Sequence, residues 1–236
     1  MSQVSLRQSL RQLALRFPPR IARRVEDFLP APCNQRALEM VLDWPAWPDF
    51  ACLLVGPHGS GRTHLAHIWC ARADARYLPG ADCARIADPL DWLHGVRALA
   101  IDDAEQADPQ RLLELYNLLR ERNGSLLLIA AAPPASFAAG LPDLSSRLAS
   151  IPLVELGPPD EALLEALIVK QCRDRDLMLE PGIVSFLVRR SERSYAAVCR
   201  LVEALDRLSL SAQRRVTRAV ARAALEICAG DESAPP

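Results

Sequence analysis

One segment constrains the possible fold of this chain more than any other feature of its sequence. In it, glycine, basic and hydroxyl residues stand at fixed spacing after a short apolar run. The segment consists of Gly56, Pro57, His58, Gly59, Ser60, Gly61, Arg62 and Thr63. Its glycines allow backbone N–H groups to point inward around phosphate oxygens, the start of a following helix favours negative charge, and a hydroxyl can bind Mg²⁺. The spacing G-x-x-x-x-G-K-[ST] therefore predicts a phosphate-binding P-loop, with arginine at the lysine position.

Arg62 bears on whether such a loop can catalyse hydrolysis. Lysine is a compact charge that follows the β and γ phosphates, whereas arginine is a bulkier planar fork. We therefore expect the chain to bind ADP or ATP and to hydrolyse ATP weakly by itself.

An acidic pair, Asp102 and Asp103, follows an apolar run about forty residues downstream of the loop. In P-loop proteins one carboxylate at this place helps to hold Mg²⁺ and another can polarise water. We predict that Asp102 holds the ion together with Thr63 and that Asp103 acts on the water. Such a pair alone usually marks a turn, and its position after the P-loop favours the site.

Short uncharged apolar runs alternate with helical patterns in the first two thirds of the chain. The runs at 52–55, 98–101 and 126–129 are typical of strands buried on both faces of a parallel sheet, and 63–71 and 109–122 have helical spacing. The alternation predicts an α/β architecture. Residues 34–43 are a further predicted helix, with Asn34 as N-cap.

The organisation predicted along the chain has four parts. Residues 1–27 are Arg-rich and form an N-terminal arm, 28–158 form the nucleotide-binding domain, 159–228 form a small helical lid domain without a convincing strand, and 229–236 form a polar tail. The helical patterns of the lid cover Glu161–Arg173, 182–190, Tyr195–Ser209 and 217–227.

Charge and composition exclude several classes of function. The 28 basic and 29 acidic residues give a net charge of -1, so no global positive field gathers nucleic acid. The seven cysteines stand singly, which favours buried thiols over zinc or disulfides. There is no apolar leader and no uncharged apolar run of roughly 18 residues, so we expect a cytoplasmic protein without a membrane segment.

Together these elements resemble the AAA+ domain of the DnaA family of bacterial replication proteins, including its shortened Hda-type members, over about 26–225. The P-loop followed by His64 resembles the family's Walker A motif, and 99–103 resembles its double-aspartate Walker B motif. The residues Phe28, Leu29 and Asn34 resemble a family segment that lies near the adenine. The resemblance thus implies ADP or ATP with Mg²⁺, held by an AAA+ domain that a helical lid follows.

The segment 141–148 resembles the arginine-finger segment of the same family, which gives Arg147 the role of a finger acting on ATP bound by a neighbouring subunit. A guanidinium supplied in this way accelerates phosphoryl transfer by about 10³ to 10⁵ in known systems. Without the resemblance, Arg147 would be taken as an exposed arginine beside a helix.

Departures from the family pattern point away from self-catalysis. Alanines at 130–132 stand where a polar sensor is often found in the family, and 194–197 lacks the second sensor arginine. Arg193 and Arg200 are the candidate substitutes for that arginine. The helical patterns stop near residue 227, where an initiator would continue into a helix-turn-helix domain. We expect no sequence-specific DNA binding.

A short peptide within the arm resembles the motif by which bacterial proteins dock on the β sliding clamp of DNA polymerase III. Its residues are Gln12, Leu13, Leu15 and Phe17. An arm can place the leucine and the aromatic ring in an apolar pocket while the glutamine makes a polar contact. By itself the hexapeptide is equally consistent with an amphipathic turn.

The leading hypothesis is a regulatory AAA+ protein that binds the clamp and stimulates hydrolysis of ATP bound to DnaA, which would negatively regulate initiation. An autonomous ATPase such as a helicase loader, and a structural adaptor that does not use Arg147, are the alternatives. The sequence leaves a monomer, a homodimer and a filament open.

Overall fold

Five parallel strands form one sheet in the order β2-β3-β4-β1-β5 in the computed structural model, which describes residues 25–138, 140–209 and 215–231. The strands are β1 (Ala51–Val55), β2 (Arg76–Pro79), β3 (Ala98–Asp102), β4 (Ser125–Ala130) and β5 (Leu153–Glu155). The predicted α/β class is confirmed. Sequence analysis missed β2 and β5, the two outer strands, because their partly exposed residues do not form a continuous apolar run.

Five α-helices accompany this sheet, and together with it they are called the α/β unit. They are α1 (Gln35–Asp43), α2 (Arg62–Ala73), α3 (Pro89–Trp92), α4 (Pro109–Glu121) and α5 (Pro142–Ser150). Short 3-10 turns lie at Val25–Asp27, Gly80–Arg85, Ala104–Gln106 and Pro134–Ser136. Asp108 caps α4 by accepting a hydrogen bond from the Arg111 N–H at 2.8 Å, and Pro109 occupies the first turn as its missing N–H allows.

Four further helices form the helical unit that follows β5. They are α6 (Glu161–Arg173), α7 (Ile183–Val188), α8 (Tyr195–Ser209) and α9 (Arg218–Asp231), with the two-residue strands β6 (Met178–Leu179) and β7 (Arg215–Val216). The expectation of no strand in this region is wrong at β6 and β7, which pair in parallel. Two residues are too few for an alternating pattern to be visible in sequence.

The sheet places the two predicted halves of the phosphate site at one edge. β1 and β3 both pair with β4 and run parallel to it, so the segments after β1 and β3 leave the sheet at the same edge. Every residue of β1 and β3 is buried, which anchors both segments on a rigid base.

No helix in the described parts of the chain is long and apolar enough to cross a membrane. The clamp-motif residues Gln12, Leu13, Leu15 and Phe17 lie outside the described residues, as does the end of the polar tail.

Candidate functional site

The P-loop connects the end of β1 to the start of α2, and its glycines stand where a side chain would not fit. A Cβ atom on Gly56 would lie 2.9 Å from the Cβ of Leu156. Gly61 adopts a φ of 94° as the N-cap of α2, and a Cβ there would lie 3.0 Å from Cε2 of Phe28. Pro57, His58 and Gly59 are exposed at the tip of the loop. The sequence therefore uses glycine at Gly61 both for a left-handed backbone and for close packing.

Two side-chain polar atoms of the loop, one on Ser60 and one on Arg62, are buried without hydrogen-bond partners. Ser60 is 3% exposed and Arg62 is 6% exposed. Neither Ser60 Oγ nor Arg62 Nη1 has a hydrogen-bond partner among the described residues. A buried donor without a partner costs free energy, so such groups call for a ligand. The hydroxyl, the guanidinium and the helix start fit an anionic group such as the phosphates of a nucleotide.

Arg62 also connects the loop to the acidic pair. Its Nη2 lies 3.7 Å from Oδ1 of Asp103, a long ion pair that satisfies the guanidinium only on one side. The arrangement leaves Nη1 for a second anion.

Asp102 lies at the end of β3 and is only 4% exposed. The hydroxyl of Tyr77 donates to its Oδ2 at 2.7 Å, and the Asp103 N–H donates to its Oδ1 at 3.0 Å. Burial and this hydrogen bond to Asp102 raise the pKa of Tyr77, which keeps its hydroxyl protonated. Tyr77 therefore orients the carboxylate predicted to hold Mg²⁺, and sequence analysis missed it because β2 was not predicted.

Asp103 turns the chain sharply after β3. It adopts a φ of 51°, and a Cβ on Gly80 would lie 2.2 Å from its carbonyl oxygen. Burial, followed by the charges of Asp102 and Glu105, raises the pKa of Asp103, and Arg62 and His58 offset this only in part. Its side chain is 48% exposed and so remains open to a ligand or water. Gly80 was not among the predicted site residues, although it fixes the position of this turn.

Glu105 brings a carboxylate to the end of β4, where the sequence has only alanines. Its Oε1 accepts a hydrogen bond from the Ala131 N–H at 3.1 Å, and its Oε2 is buried without a partner in the described structure. The acidic group at this edge therefore includes a third member that comes from the turn after β3, not from β4.

The segment before α1 packs against the P-loop in part. The ring of Phe28 meets that of His64 edge-on at 5.5 Å between centroids, and it also covers Gly61. Asn34 is the N-cap residue of α1, but its side chain forms no cap; it accepts from the Ala31 N–H at 2.8 Å and donates to the Leu29 carbonyl at 3.0 Å. Asn34 thus fixes the loop that contains Leu29.

Tyr195 joins the helical unit to the α/β unit at the P-loop. Its hydroxyl donates to the Gly157 carbonyl and contacts the Cys33 thiol, both at 3.4 Å. A Cβ on Gly59 would lie 3.2 Å from the Cβ of Tyr195 and 3.6 Å from Sγ of Cys199. The first turn of α8, where a sensor arginine is missing, therefore places an aromatic residue against the tip of the loop.

The two arginines considered as substitutes for that sensor have acidic neighbours within the helical unit. Arg193 lies 3.2 Å from Glu161, and Arg200 lies 3.3 Å from Glu192. Their role as sensors stays a prediction.

Arg147 lies on α5, and in the described structure it contacts its own helix and α4. Its Nε donates to Oδ1 of Asp143 at 3.0 Å, and its guanidinium carbon lies 5.9 Å from the ring centroid of Tyr116. The side chain is 29% exposed. Its role as an arginine finger stays a prediction.

Thr63 is exposed in the first turn of α2. Thr63 would supply a hydroxyl and Asp102 a carboxylate to Mg²⁺, and this pairing stays a prediction. No group of three or more His, Cys, Asp or Glu side chains suited to a metal is present among the described residues.

Comparisons with known proteins agree with this architecture. Residues 160–225 match the family model described as Hda, lid domain. Domain III of the replication initiation protein DnaA from Thermotoga maritima superposes with a TM-score of 0.77 at 17% identity, covering 89% of this chain and 98% of that one. The helical unit thus matches the Hda lid domain, and the fold of the chain is that of DnaA domain III. The expected AAA+ fold with a helical lid is confirmed.

Two other structures show the fold more distantly. The initiator DnaA bound to AMPPCP and single-stranded DNA gives a TM-score of 0.64 at 19% identity, over 78% of this AAA+ chain and 63% of the initiator. The RuvB Holliday junction branch migration motor of Thermotoga maritima superposes with a TM-score of 0.56 at 19% identity. The match covers 75% of this chain and 61% of the RuvB chain. At such identities the likeness concerns the fold alone.

Proposed function

We propose that this AAA+ protein binds ADP or ATP at the P-loop and promotes hydrolysis of ATP bound to DnaA by means of Arg147. By lowering the amount of DnaA in its ATP form, it negatively regulates initiation of chromosomal replication. The arm residues Gln12, Leu13, Leu15 and Phe17 attach it to the β sliding clamp.

Nucleotide binding is supported by the two buried polar atoms of the P-loop that lack partners, Ser60 Oγ and Arg62 Nη1. This is the observation on which the proposal depends most. It is joined by the left-handed backbone of Gly61 at the start of α2 and by a DnaA of the same fold solved with AMPPCP. Phosphate oxygens would accept from both groups, and Thr63 with Asp102 would hold Mg²⁺.

Weak hydrolysis by the chain itself is supported by the way Arg62 is placed. A guanidinium already drawn towards Asp103 at 3.7 Å is less free to follow the γ phosphate than a lysine, and Asp103 is in turn less available to polarise water. The end of β4 offers no polar side chain of its own.

A catalytic effect on ATP that is bound by another protein is supported by the position of Arg147. Its described contacts are with Asp143, Tyr116 and the hydroxyl of Ser150, and none of these belongs to the chain's own P-loop. An arginine that is part exposed and held outside its own nucleotide site is suited to act on a neighbour's ATP.

The central experiment loads DnaA with radiolabelled ATP and adds the protein together with the sliding clamp on DNA. Wild type should accelerate hydrolysis, and Arg147→Ala should lose roughly 10³-fold of that acceleration. Arg120→Ala, which removes an exposed arginine from α4, is the matched control and should behave as wild type. Equal rates for wild type and Arg147→Ala would refute the finger role and leave a structural adaptor.

Two simpler measurements separate the remaining alternatives. The first measures single-turnover ATP hydrolysis by the isolated protein. A rate equal to that of the mixture with DnaA, clamp and DNA would identify an autonomous ATPase. A pull-down against the clamp with wild type and Gln12→Ala tests the arm, and clamp binding that survives the substitution would place the contact elsewhere.

A further inference from the structure

Three exposed arginines of the helical unit line one shallow cleft of about 340 Å³. They are Arg190, after α7, and Arg218 and Arg222, on α9; we call them the lid arginine face. Phe186 forms the floor between them. None of the residues that line the cleft belongs to the proposed nucleotide site.

The ring of Phe186 holds two of the guanidinium groups close together. The guanidinium carbons of Arg190 and Arg218 lie 4.3 Å and 4.9 Å from its ring centroid, and Arg190 also donates to the Phe186 carbonyl at 3.5 Å. Two like charges therefore lie within roughly one Debye length, about 10 Å at 0.1 M salt, and salt does not remove their repulsion. Cation–π contact with the shared ring offsets part of it.

The sequence of α9 increases the concentration of positive charge. Arg218 is the first residue of the helix, where a cation meets the positive end of the helix dipole, and Arg222 follows it by one turn. Both placements are unfavourable for the helix itself. A local arrangement that costs stability is expected where a ligand uses it.

These arginines differ in their lack of counter-ions from three other basic residues of the helical unit. Lys170, Arg193 and Arg207 each form an ion pair, with Asp174, Glu161 and Glu203 respectively. Within the described ranges, Arg190, Arg218 and Arg222 form none, and Glu226 is the one acidic residue that lines their cleft.

We propose that the lid arginine face binds the phosphate backbone of duplex DNA without regard to sequence. Guanidinium groups pair with phosphate oxygens in two-pronged contacts, and several such contacts at spaced positions suit a regular polyanion. An acidic peptide is less suited, because such partners anchor through an apolar side chain and the ring that could receive one is already covered by two guanidiniums. The site goes beyond the proposed function and requires neither DnaA nor the clamp.

Fluorescence anisotropy with a labelled duplex of arbitrary sequence tests the proposal on the full chain. The double variant Arg218→Ala/Arg222→Ala should bind the duplex at least about tenfold more weakly than wild type at low salt. The slope of log K against log salt should become shallower by about 2, one for each lost phosphate contact. The matched control Arg36→Ala/Arg120→Ala removes the same charge from exposed positions of α1 and α4 and should keep the wild-type slope.

Folding of the double variant can be checked independently, because removing cations from the start of α9 should leave the thermal midpoint unchanged or slightly higher. Equal loss in both double variants would show diffuse attraction and overturn the proposal. Absence of duplex binding by wild type at low salt would also overturn it. Tight binding of poly-glutamate that depends on Arg218 and Arg222, without duplex binding, would assign the face to an acidic protein partner instead.

Discussion

The P-loop and the arginine of α5 are both expected to act on phosphates. Their polar atoms differ in burial and in whether they already have a partner. In the P-loop, Ser60 Oγ and Arg62 Nη1 are buried without partners. On α5, Arg147 is part exposed, and it already has a carboxylate on its own helix and a ring beneath it.

The difference shows how each site would respond to its ligand. A ligand in the P-loop satisfies donors that are otherwise buried at a cost, so binding there gains the full value of new hydrogen bonds. Arg147 must exchange one anion for another, so its net gain is small until a transition state concentrates charge on the γ phosphate. The P-loop is suited to retaining a nucleotide and Arg147 to a transient contact.

Among the effects on binding and stability, the largest is expected at Arg62. Arg62→Ala should weaken ADP binding by about 2–3 kcal/mol, since a charge-assisted contact to phosphate is lost. Titration of a fluorescent ADP analogue measures it, with Arg62→Lys as the control that keeps the charge and should retain most of the affinity. Unchanged affinity in the alanine variant would mean that Nη1 does not face the phosphates.

Gly80 tests the other half of the site through stability. Gly80→Ala would place a Cβ about 2.2 Å from the carbonyl oxygen of Asp103, so the turn after β3 must move. We expect a loss of about 1–3 kcal/mol in the free energy of unfolding, measured by urea denaturation. Gly140→Ala, where a Cβ meets nothing within 4 Å, is the matched control and should be nearly neutral.

Tyr195→Phe removes the hydroxyl that joins the two units while keeping the ring against Gly59. It should cost about 1 kcal/mol of unfolding free energy, because the Gly157 carbonyl and the Cys33 thiol lose their shared partner. In Tyr116→Phe the deleted hydroxyl makes no hydrogen bond in the described structure, so this control should cost less. A larger loss in the control would show that the Tyr195 contact contributes little.

The smallest effect should come from Asp143. Its ion pair with Arg147 joins side chains that are 54% and 29% exposed, so solvent screening limits its value to about 0.5 kcal/mol or less. Asp143→Asn should lower stability only by that amount and should raise stimulation of DnaA-bound ATP hydrolysis about twofold by releasing the guanidinium. Asp174→Asn breaks an equivalent pair with Lys170 in α6 and should cost similar stability without the gain in activity.

Structure could be predicted from the sequence where residues close together in the chain determine it. Strands buried on both faces must be apolar throughout, so β1, β3 and β4 could be predicted, and the P-loop was predicted because its glycines and charges have fixed spacing. β2 and β5 were missed because outer strands mix exposed and buried residues.

The residues that complete the site come from long-range contacts that leave no local pattern. Tyr77 meets Asp102 across 25 positions, and Tyr195 meets Cys33 across 162. Glu105 could have been suspected from its place just after the acidic pair, but its bond to Ala131 depends on how β3 and β4 are aligned. The roles of Arg147 and of the clamp motif rest on family resemblance, because one exposed arginine or one hexapeptide has no distinctive chemistry.

The contact between Tyr195 and the tip of the P-loop makes the helical unit part of any binding equilibrium at the nucleotide. If a nucleotide changes the free energy of the Tyr195 contact, then a partner that shifts the helical unit must change nucleotide affinity, and thermodynamic reciprocity requires the two factors to be equal. In that case a protein or DNA molecule bound to the helical unit would change the affinity of the site for ADP without touching the P-loop.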